Sequence, residues 1–266
     1  MSPAALALLL ALPAAAQPTL EARAKGVVIA SGTAAQLSAR VATSRVLVQN
    51  PFLDGRTKAY EAFPAAAVLD AFYGPGWRDV EGGEVAFSAL DGYEARVPSA
   101  KLAAGGAWLA FRDHDRAPGW EPVGHKAADP GPFFLVWDGA RTPESGYPWP
   151  WQVVALDTAR FEDLHPGLPP RGVKDDSPEE RGYRLFRTKC VKCHALDQEG
   201  GTLGPDLNAP KSVTEYRPKD QLKAFIRKSS DFRFGQMPDH PELSDRDLED
   251  LWRYLKLKAG QKAKSR

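Results

Sequence analysis

Sulfur-containing residues are scarce in this chain: its 266 residues include two cysteines and two methionines. Both cysteines, Cys190 and Cys193, lie in one short segment, so the chain has no framework of several disulfides and no four-cysteine zinc site. After the first residues, no apolar run is long enough to form a transmembrane helix. The formal net charge of +1 argues against a nucleic-acid-binding protein.

The first 16 residues have the pattern of a targeting segment. The apolar run Leu6–Leu12 is too short to span a membrane and is followed by three alanines, 14–16, the small residues that signal peptidase requires. An apolar core helix is the alternative interpretation, and no Lys or Arg precedes the run. We predict a signal peptide at residues 1–16, a mature chain that begins at Gln17, and export to the periplasm.

A proline-rich stretch divides the remaining chain. Residues 165–178 contain four prolines and two glycines without a hydrophobic period, which is typical of a linker. We predict an N-terminal domain at residues 17–165, a linker at 166–177 and a C-terminal domain at 178–266. Acidic residues outnumber basic ones before this boundary, and basic residues outnumber acidic ones after it.

The N-terminal part has the pattern of an α+β domain dominated by antiparallel strands. Turn residues such as Asp91-Gly92 and Asp138-Gly139 separate its apolar runs. One helix is predicted from Pro64 to Phe72, with Gly74-Pro75-Gly76 ending it. The predicted strands are 27–30, 46–49, 85–90, 108–111, 133–137 and 151–156.

The C-terminal part has the pattern of an all-α domain. A capping box at 177–180 predicts a helix that continues to Lys189. Apolar residues at 222–226 predict a second helix. Another capping box at 244–247 precedes an apolar stripe with helical spacing, which predicts a terminal helix.

The segment Cys190-Val191-Lys192-Cys193-His194 is a C-x-x-C-H sequence, the attachment signature of haem c. Two thiols must add to two vinyl groups on one edge of the porphyrin, and a helical turn with two intervening residues places both sulfurs there. The next residue then presents an imidazole to the iron. A thioredoxin-like pair lacks its βαβ context here, and a zinc site lacks further cysteines. We therefore predict one covalently attached haem c, with His194 as an iron ligand.

The sixth ligand follows from elimination. Met1 leaves with the signal peptide, so Met237 is the thioether that remains in the mature chain. It lies between Gly and Pro residues, in a setting that lets a loop fold over a haem. His240 is the rival, and bis-His ligation would give a lower potential than His/Met ligation. We predict Met237.

Residues 178–258 resemble a class I cytochrome c. Gly182 and Phe186 match the glycine and the aromatic residue of that family's first helix, and Tyr254-Leu255 matches the aromatic-Leu pair of its last helix. The run Gly204-Pro205-Asp206-Leu207 matches its G-P-x-L loop. The resemblance implies that the Pro205 carbonyl accepts a hydrogen bond from the proximal histidine, and that the domain passes single electrons to and from a redox partner.

Residues 85–156 are similar to the molybdopterin-binding fold of sulfite oxidase-type proteins. The similarity depends on the strand-turn Ala89-Leu90-Asp91-Gly92-Tyr93 and on the closing strand Trp151–Leu156. That family binds molybdenum through a cysteine thiolate, whereas this chain has no cysteine before Cys190. We therefore expect a non-catalytic module that binds a partner or a ligand. By analogy, the redox partner is a periplasmic molybdoenzyme or another cytochrome.

Two other functions stay open. In the first, the protein is an oxidoreductase whose N-terminal domain binds a substrate or cofactor and passes electrons to the haem. In the second, it is a haem-based redox or gas sensor from which Met237 dissociates.

A loop at residues 112–129 contains His114 and His125 among several aspartates. The irregular spacing favours solvated loop residues over a metal site.

Overall fold

The computed structural model describes residues 17–79, 83–124, 126–232, 235 and 237–262. The predicted signal peptide and His125 lie outside the described residues. Within these ranges, no helix is both long enough and apolar enough to cross a membrane.

The N-terminal part is built on two β-sheets. The five-stranded sheet has the order β2-β1-β9-β5-β6, and the four-stranded sheet has the order β3-β4-β7-β8. β1 and β9 pair in parallel, while the other neighbouring strands pair antiparallel, so the prediction of mostly antiparallel sheets is confirmed. The strands are β1 (Thr19–Ala24), β2 (Val27–Thr33), β3 (Ser44–Gln49), β4 (Thr57–Pro64), β5 (Glu84–Ala89), β6 (Glu94–Pro98), β7 (Ala107–Asp113), β8 (Phe134–Trp137) and β9 (Val153–Ala159).

Short helices connect these strands. The predicted helix is present at Ala65–Tyr73, with Pro64 as its N-cap and Gly74 as its C-cap. Residues from both sheets, including Phe63, Phe87 and Trp137, are buried in one hydrophobic core. The helices of this part are α1 (Ala34–Ser38), α2 (Ala65–Tyr73), α3 (Ser99–Ala103) and α4 (Phe161–Leu164).

Three strands, β1, β4 and β6, were not expected from the sequence, because charged residues interrupt their apolar patterns. In β4, Lys58 is almost fully buried, and its ammonium lies 3.1 Å from a carboxylate oxygen of Asp113 and 3.0 Å from one of Glu121. Burial opposes the charged form of Lys58, but hydrogen bonds to Glu121 and Asp113 outweigh burial and raise its pKa. The expectation that the 112–129 loop is solvated is therefore wrong for Asp113, although His114 is exposed.

The C-terminal part is mainly helical. It contains α5 (Pro178–Leu185), α6 (Val213–Tyr216), α7 (Lys219–Arg227) and α8 (Asp245–Gly260). A two-stranded ladder of β10 (Ala195–Leu196) and β11 (Glu199–Gly200) corrects the all-α prediction.

The first C-terminal helix is shorter than predicted. The α-helix ends at Leu185, and residues Phe186–Cys190 form a π-helical turn. The amide of Val191 donates to the Phe186 carbonyl at 2.9 Å, an i to i+5 bond. Such turns insert one extra residue into a helix and frequently occur at functional sites.

A second hydrophobic core begins at Phe161 and extends through α8. Leu168, which lies in the predicted linker, is fully buried in it, and its carbonyl accepts a hydrogen bond of 2.8 Å from the Tyr254 hydroxyl. The start of the predicted linker is therefore packed against α8. The domain boundaries themselves stay a prediction.

Helices α5 and α8 pack closely at Gly182. A Cβ atom at this position would overlap the Asp250 carbonyl and lie 2.8 Å from Tyr254 Cβ. An ion pair of 2.7 Å between Arg181 and Asp250 fixes the same contact. The two helices can approach this closely because residue 182 has no side chain.

Replacing Gly182 with Ala should therefore destabilise the C-terminal part by about 1–3 kcal/mol, the usual cost of overpacking. Urea denaturation followed by circular dichroism measures this change. The matched control is Gly260→Ala, because a Cβ at Gly260 meets no atom within 4 Å and α8 gains a better helix former. Equal stability of the two variants would contradict the close helix contact.

Candidate haem site

The C-x-x-C-H segment begins at Cys190, the last residue of the π-helical turn, and continues as a tight turn to His194. The amides of Cys193 and His194 both donate to the Cys190 carbonyl, at 3.1 Å and 2.9 Å. Gly201 donates to the Val191 carbonyl at 2.8 Å, which ties the turn to the loop after β11. The turn thus holds two thiols and an imidazole within five consecutive residues.

The two thiols are partly buried. Burial raises the pKa of Cys190 to about 12, and burial also raises the pKa of Cys193. Reactive redox cysteines need a lowered pKa, because the thiolate is the nucleophile. The environment of this pair is therefore unlike that of a thiol–disulfide catalyst.

The imidazole of His194 is oriented by the backbone. Its Nδ1 lies 2.8 Å from the Pro205 carbonyl oxygen, which can only accept, so Nδ1 carries the proton. This tautomer makes Nε2 the nitrogen that can coordinate iron, the arrangement that metal-binding histidines commonly have.

Gly204 makes this orientation possible. A Cβ at residue 204 would lie 2.5 Å from Cε1 of the His194 ring, so any side chain there would displace the imidazole. The Gly204 amide donates to the Cys193 carbonyl at 2.7 Å, which holds the loop against the turn.

Asp206 holds the rest of this loop in place, a role that sequence analysis missed. Its carboxylate accepts hydrogen bonds from the amides of Asp197, Gln198 and Asn208, at 3.2, 2.7 and 2.8 Å. The signal was available, because an Asp side chain in a loop commonly accepts a hydrogen bond from the backbone amide two residues later and so forms an Asx turn.

Met237 lies in the loop before α8, and its side chain packs against the second core, as Cys190 does. Its carbonyl accepts a hydrogen bond of 2.6 Å from the Ser229 hydroxyl, and Asp239 accepts further bonds from Ser229 and Ser230. These bonds tie Met237 and Asp239 to Ser229 and Ser230.

The rival ligand, His240, already has a partner. Its Nδ1 lies 3.3 Å from a carboxylate oxygen of Glu242, and Glu242 also pairs with Lys189 at 3.1 Å. Because this contact leaves Nε2 of His240 able to coordinate iron, the preference for Met237 rests on its packing against the same core as Cys190.

Two thiols, a backbone-oriented imidazole and a thioether match the donor set of a His/Met haem c, so the residues present fit this group. In the described part of the chain, no cluster of three or more His, Cys, Asp or Glu residues could hold a metal ion.

Comparison with known proteins points to the same part of the chain. Residues 177–255 match the family model described as "Cytochrome C oxidase, cbb3-type, subunit III". No curated protein matches the chain. The match identifies a c-type cytochrome domain, which implies haem c, electron transfer and a redox partner. The matched range includes none of the N-terminal sheets.

Substituting Gly204 with Ala should shift the His194 ring and weaken its hydrogen bond to Pro205. That bond raises the basicity of the imidazole, so its loss should raise the midpoint potential of the haem-loaded protein. Redox titration measures the shift, and Gly76→Ala serves as the control because a Cβ there meets no atom within 4 Å. An unchanged potential in Gly204→Ala would show that the loop accommodates a methyl group without moving the imidazole.

Proposed function

We propose that this protein is an exported mono-haem c-type cytochrome that transfers single electrons, joined to an N-terminal module that binds a partner or a ligand. The observation that best supports this proposal is the hydrogen bond between His194 and the Pro205 carbonyl, beside the turn that contains both cysteines. This contact lies within the residues that match the cytochrome family model. We further propose the periplasm as its location, on the basis of the targeting pattern at residues 1–16.

In this proposal, Cys190 and Cys193 would hold the haem through two thioether bonds, and His194 Nε2 and the Met237 sulfur would bind its iron. When bound, the haem supplies reversible one-electron chemistry at the iron. The protein's part would be to hold both ligand side chains in place, so that they and not a substrate would bind the iron. The hydrogen bonds of Asp206 and Asp239 serve this purpose. Asp206 holds the loop whose Pro205 carbonyl orients His194, and Asp239 holds the loop that contains Met237.

A thiol–disulfide oxidoreductase is the less favoured function for the same cysteine pair. Burial raises the pKa of both thiols, so little thiolate is present at neutral pH. Thioether formation consumes both thiols, so the mature protein needs no thiolate at either position.

For the N-terminal domain we propose a binding role without catalysis. Supporting this role, no cysteine precedes Cys190, so the thiolate that sulfite oxidase-type proteins use for molybdenum is missing. An open groove lies on this domain, and Trp120 and Pro132 line it beside the ion pair of Glu21 and Arg23. A mixed apolar and charged surface suits a protein or small-molecule ligand. By analogy, the redox partner is a molybdoenzyme or another cytochrome.

The ligand assignment is tested by Met237→Ala. Loss of the thioether should abolish the weak long-wavelength ferric absorption band of Met-ligated haem and lower the midpoint potential, because His/Met ligation raises it. The control is His240→Ala, which should change neither property. If instead His240→Ala alters the spectrum and Met237→Ala does not, the ligand is His240 and the His/Met assignment fails.

The division of roles between the domains is tested by elemental analysis of the purified full chain. Iron should be present at one atom per chain, because a single attachment segment is available, and molybdenum and tungsten should be absent. Stoichiometric molybdenum or tungsten would place the protein among the oxidoreductases instead.

A further inference from the structure

The turn between β5 and β6 contacts the haem-attachment segment directly. The Gly92 carbonyl accepts a hydrogen bond of 3.1 Å from the Thr202 amide, and the Glu94 amide donates to the Lys192 carbonyl at 3.0 Å. These two bonds lie on either side of Tyr93. The N-terminal part therefore reaches both the Cys190–His194 turn and the loop that orients His194.

The turn is closely fitted to this position. The Asp91 carboxylate accepts from the Tyr93 amide at 3.0 Å, and Gly92 has a φ of +85°, in the left-handed region that favours glycine. A Cβ at Gly92 would overlap the Thr202 hydroxyl and lie 3.2 Å from the Thr202 carbonyl carbon. Gly92 thus meets both the conformational and the steric requirements of the contact.

The Tyr93 side chain is half-buried at this contact. Burial raises the pKa of Tyr93, and the nearby Cys193 and Asp91 raise it further. Its two neighbours, Gly92 and Glu94, bond to Thr202 and to Lys192, and Lys192 directly precedes Cys193, so the backbone places Tyr93 beside the attachment segment.

Ion pairs hold the two parts together behind the turn. Arg187, in the π-helical turn before Cys190, lies 3.2 Å from Glu84 on β5 and 2.8 Å from Glu162 in α4. The contact at Tyr93 is thus part of a wider interface between the sheet and the cytochrome domain.

We propose that the turn Asp91–Tyr93 forms one wall of the haem site, and that Tyr93 is a positioning residue which shields the haem edge beside Cys193 from water. This inference rests on the proposed function, because it requires haem attachment at Cys193. The N-terminal domain is then a structural part of the redox centre as well as a binding module.

A wall that excludes water from the haem edge should change the midpoint potential of the haem. Ferric haem carries one more positive charge than ferrous haem, and an environment of low dielectric constant disfavours the more highly charged form. Shielding the edge from water therefore raises the midpoint potential, and opening the wall lowers it.

The test uses the haem-loaded full chain and two readouts, the midpoint potential and the hydrogen exchange of the Glu94 and Thr202 amides. Tyr93→Ala should lower the potential, whereas Tyr93→Phe keeps the ring and should leave the potential unchanged. Leu90→Ala is the control in the same turn, because Leu90 is 65% exposed.

A second variant, with its own control, displaces the whole turn from Thr202. Gly92→Ala should lower the potential and speed amide exchange at Thr202 several-fold. Gly139→Ala is its matched control: it also follows an Asp and has a positive φ of +65°, but a Cβ there meets no atom within 4 Å. The control should change neither readout.

The outcomes separate the two hypotheses. If covalent haem is present and neither Tyr93→Ala nor Gly92→Ala lowers the potential, the wall is overturned while the proposed function stands. Faster exchange in Gly92→Ala without a lower potential also overturns it, because the contact then exists without shielding the haem. If the chain carries no covalent haem, the proposed function has failed, and the inference fails with it.

Discussion

The orientation of one imidazole is the constraint on which the C-terminal domain depends. In the proposed haem site His194 directs Nε2 towards the iron, and the hydrogen bond of 2.8 Å that Nδ1 donates to the Pro205 carbonyl sets this orientation. That carbonyl is held by a loop whose amides bond to Asp206, and Gly204 leaves the ring the space it needs. The packing of α5 on α8 through Gly182 holds the helix that leads into the attachment segment.

Much of the C-terminal domain was predictable because its signals are local. Capping residues at Ser177 and Ser244 mark the starts of α5 and α8, and both side chains accept the expected backbone hydrogen bonds. The π-helical turn was not predictable, because an i to i+5 bond has no residue signature of its own and arises from how the helix meets the attachment turn. Likewise, the proline-rich composition around Leu168 indicated a linker, whereas tertiary contacts with Tyr254 bury it.

The N-terminal domain was harder to derive, since its missed strands depend on distant partners. β4 contains Lys58, and a lysine argues against a buried strand when the sequence is considered alone. In the structure Asp113 and Glu121 pair with its ammonium, so the charge can be buried. The Asp91-Gly92-Tyr93 motif predicted a turn, and the turn is present between β5 and β6. Its contact with Lys192 and Thr202 could not be predicted, because it joins segments about a hundred residues apart.

Covalent attachment of a single haem is the central claim, and the intact mass of the purified chain under denaturing conditions tests it most directly. We expect a mass equal to residues 17–266 plus one haem, with no thiol left to alkylate, because Cys190 and Cys193 are both consumed. A mass without haem, or two thiols that can be alkylated in the denatured chain, would contradict the claim and leave the cysteine pair without its proposed role.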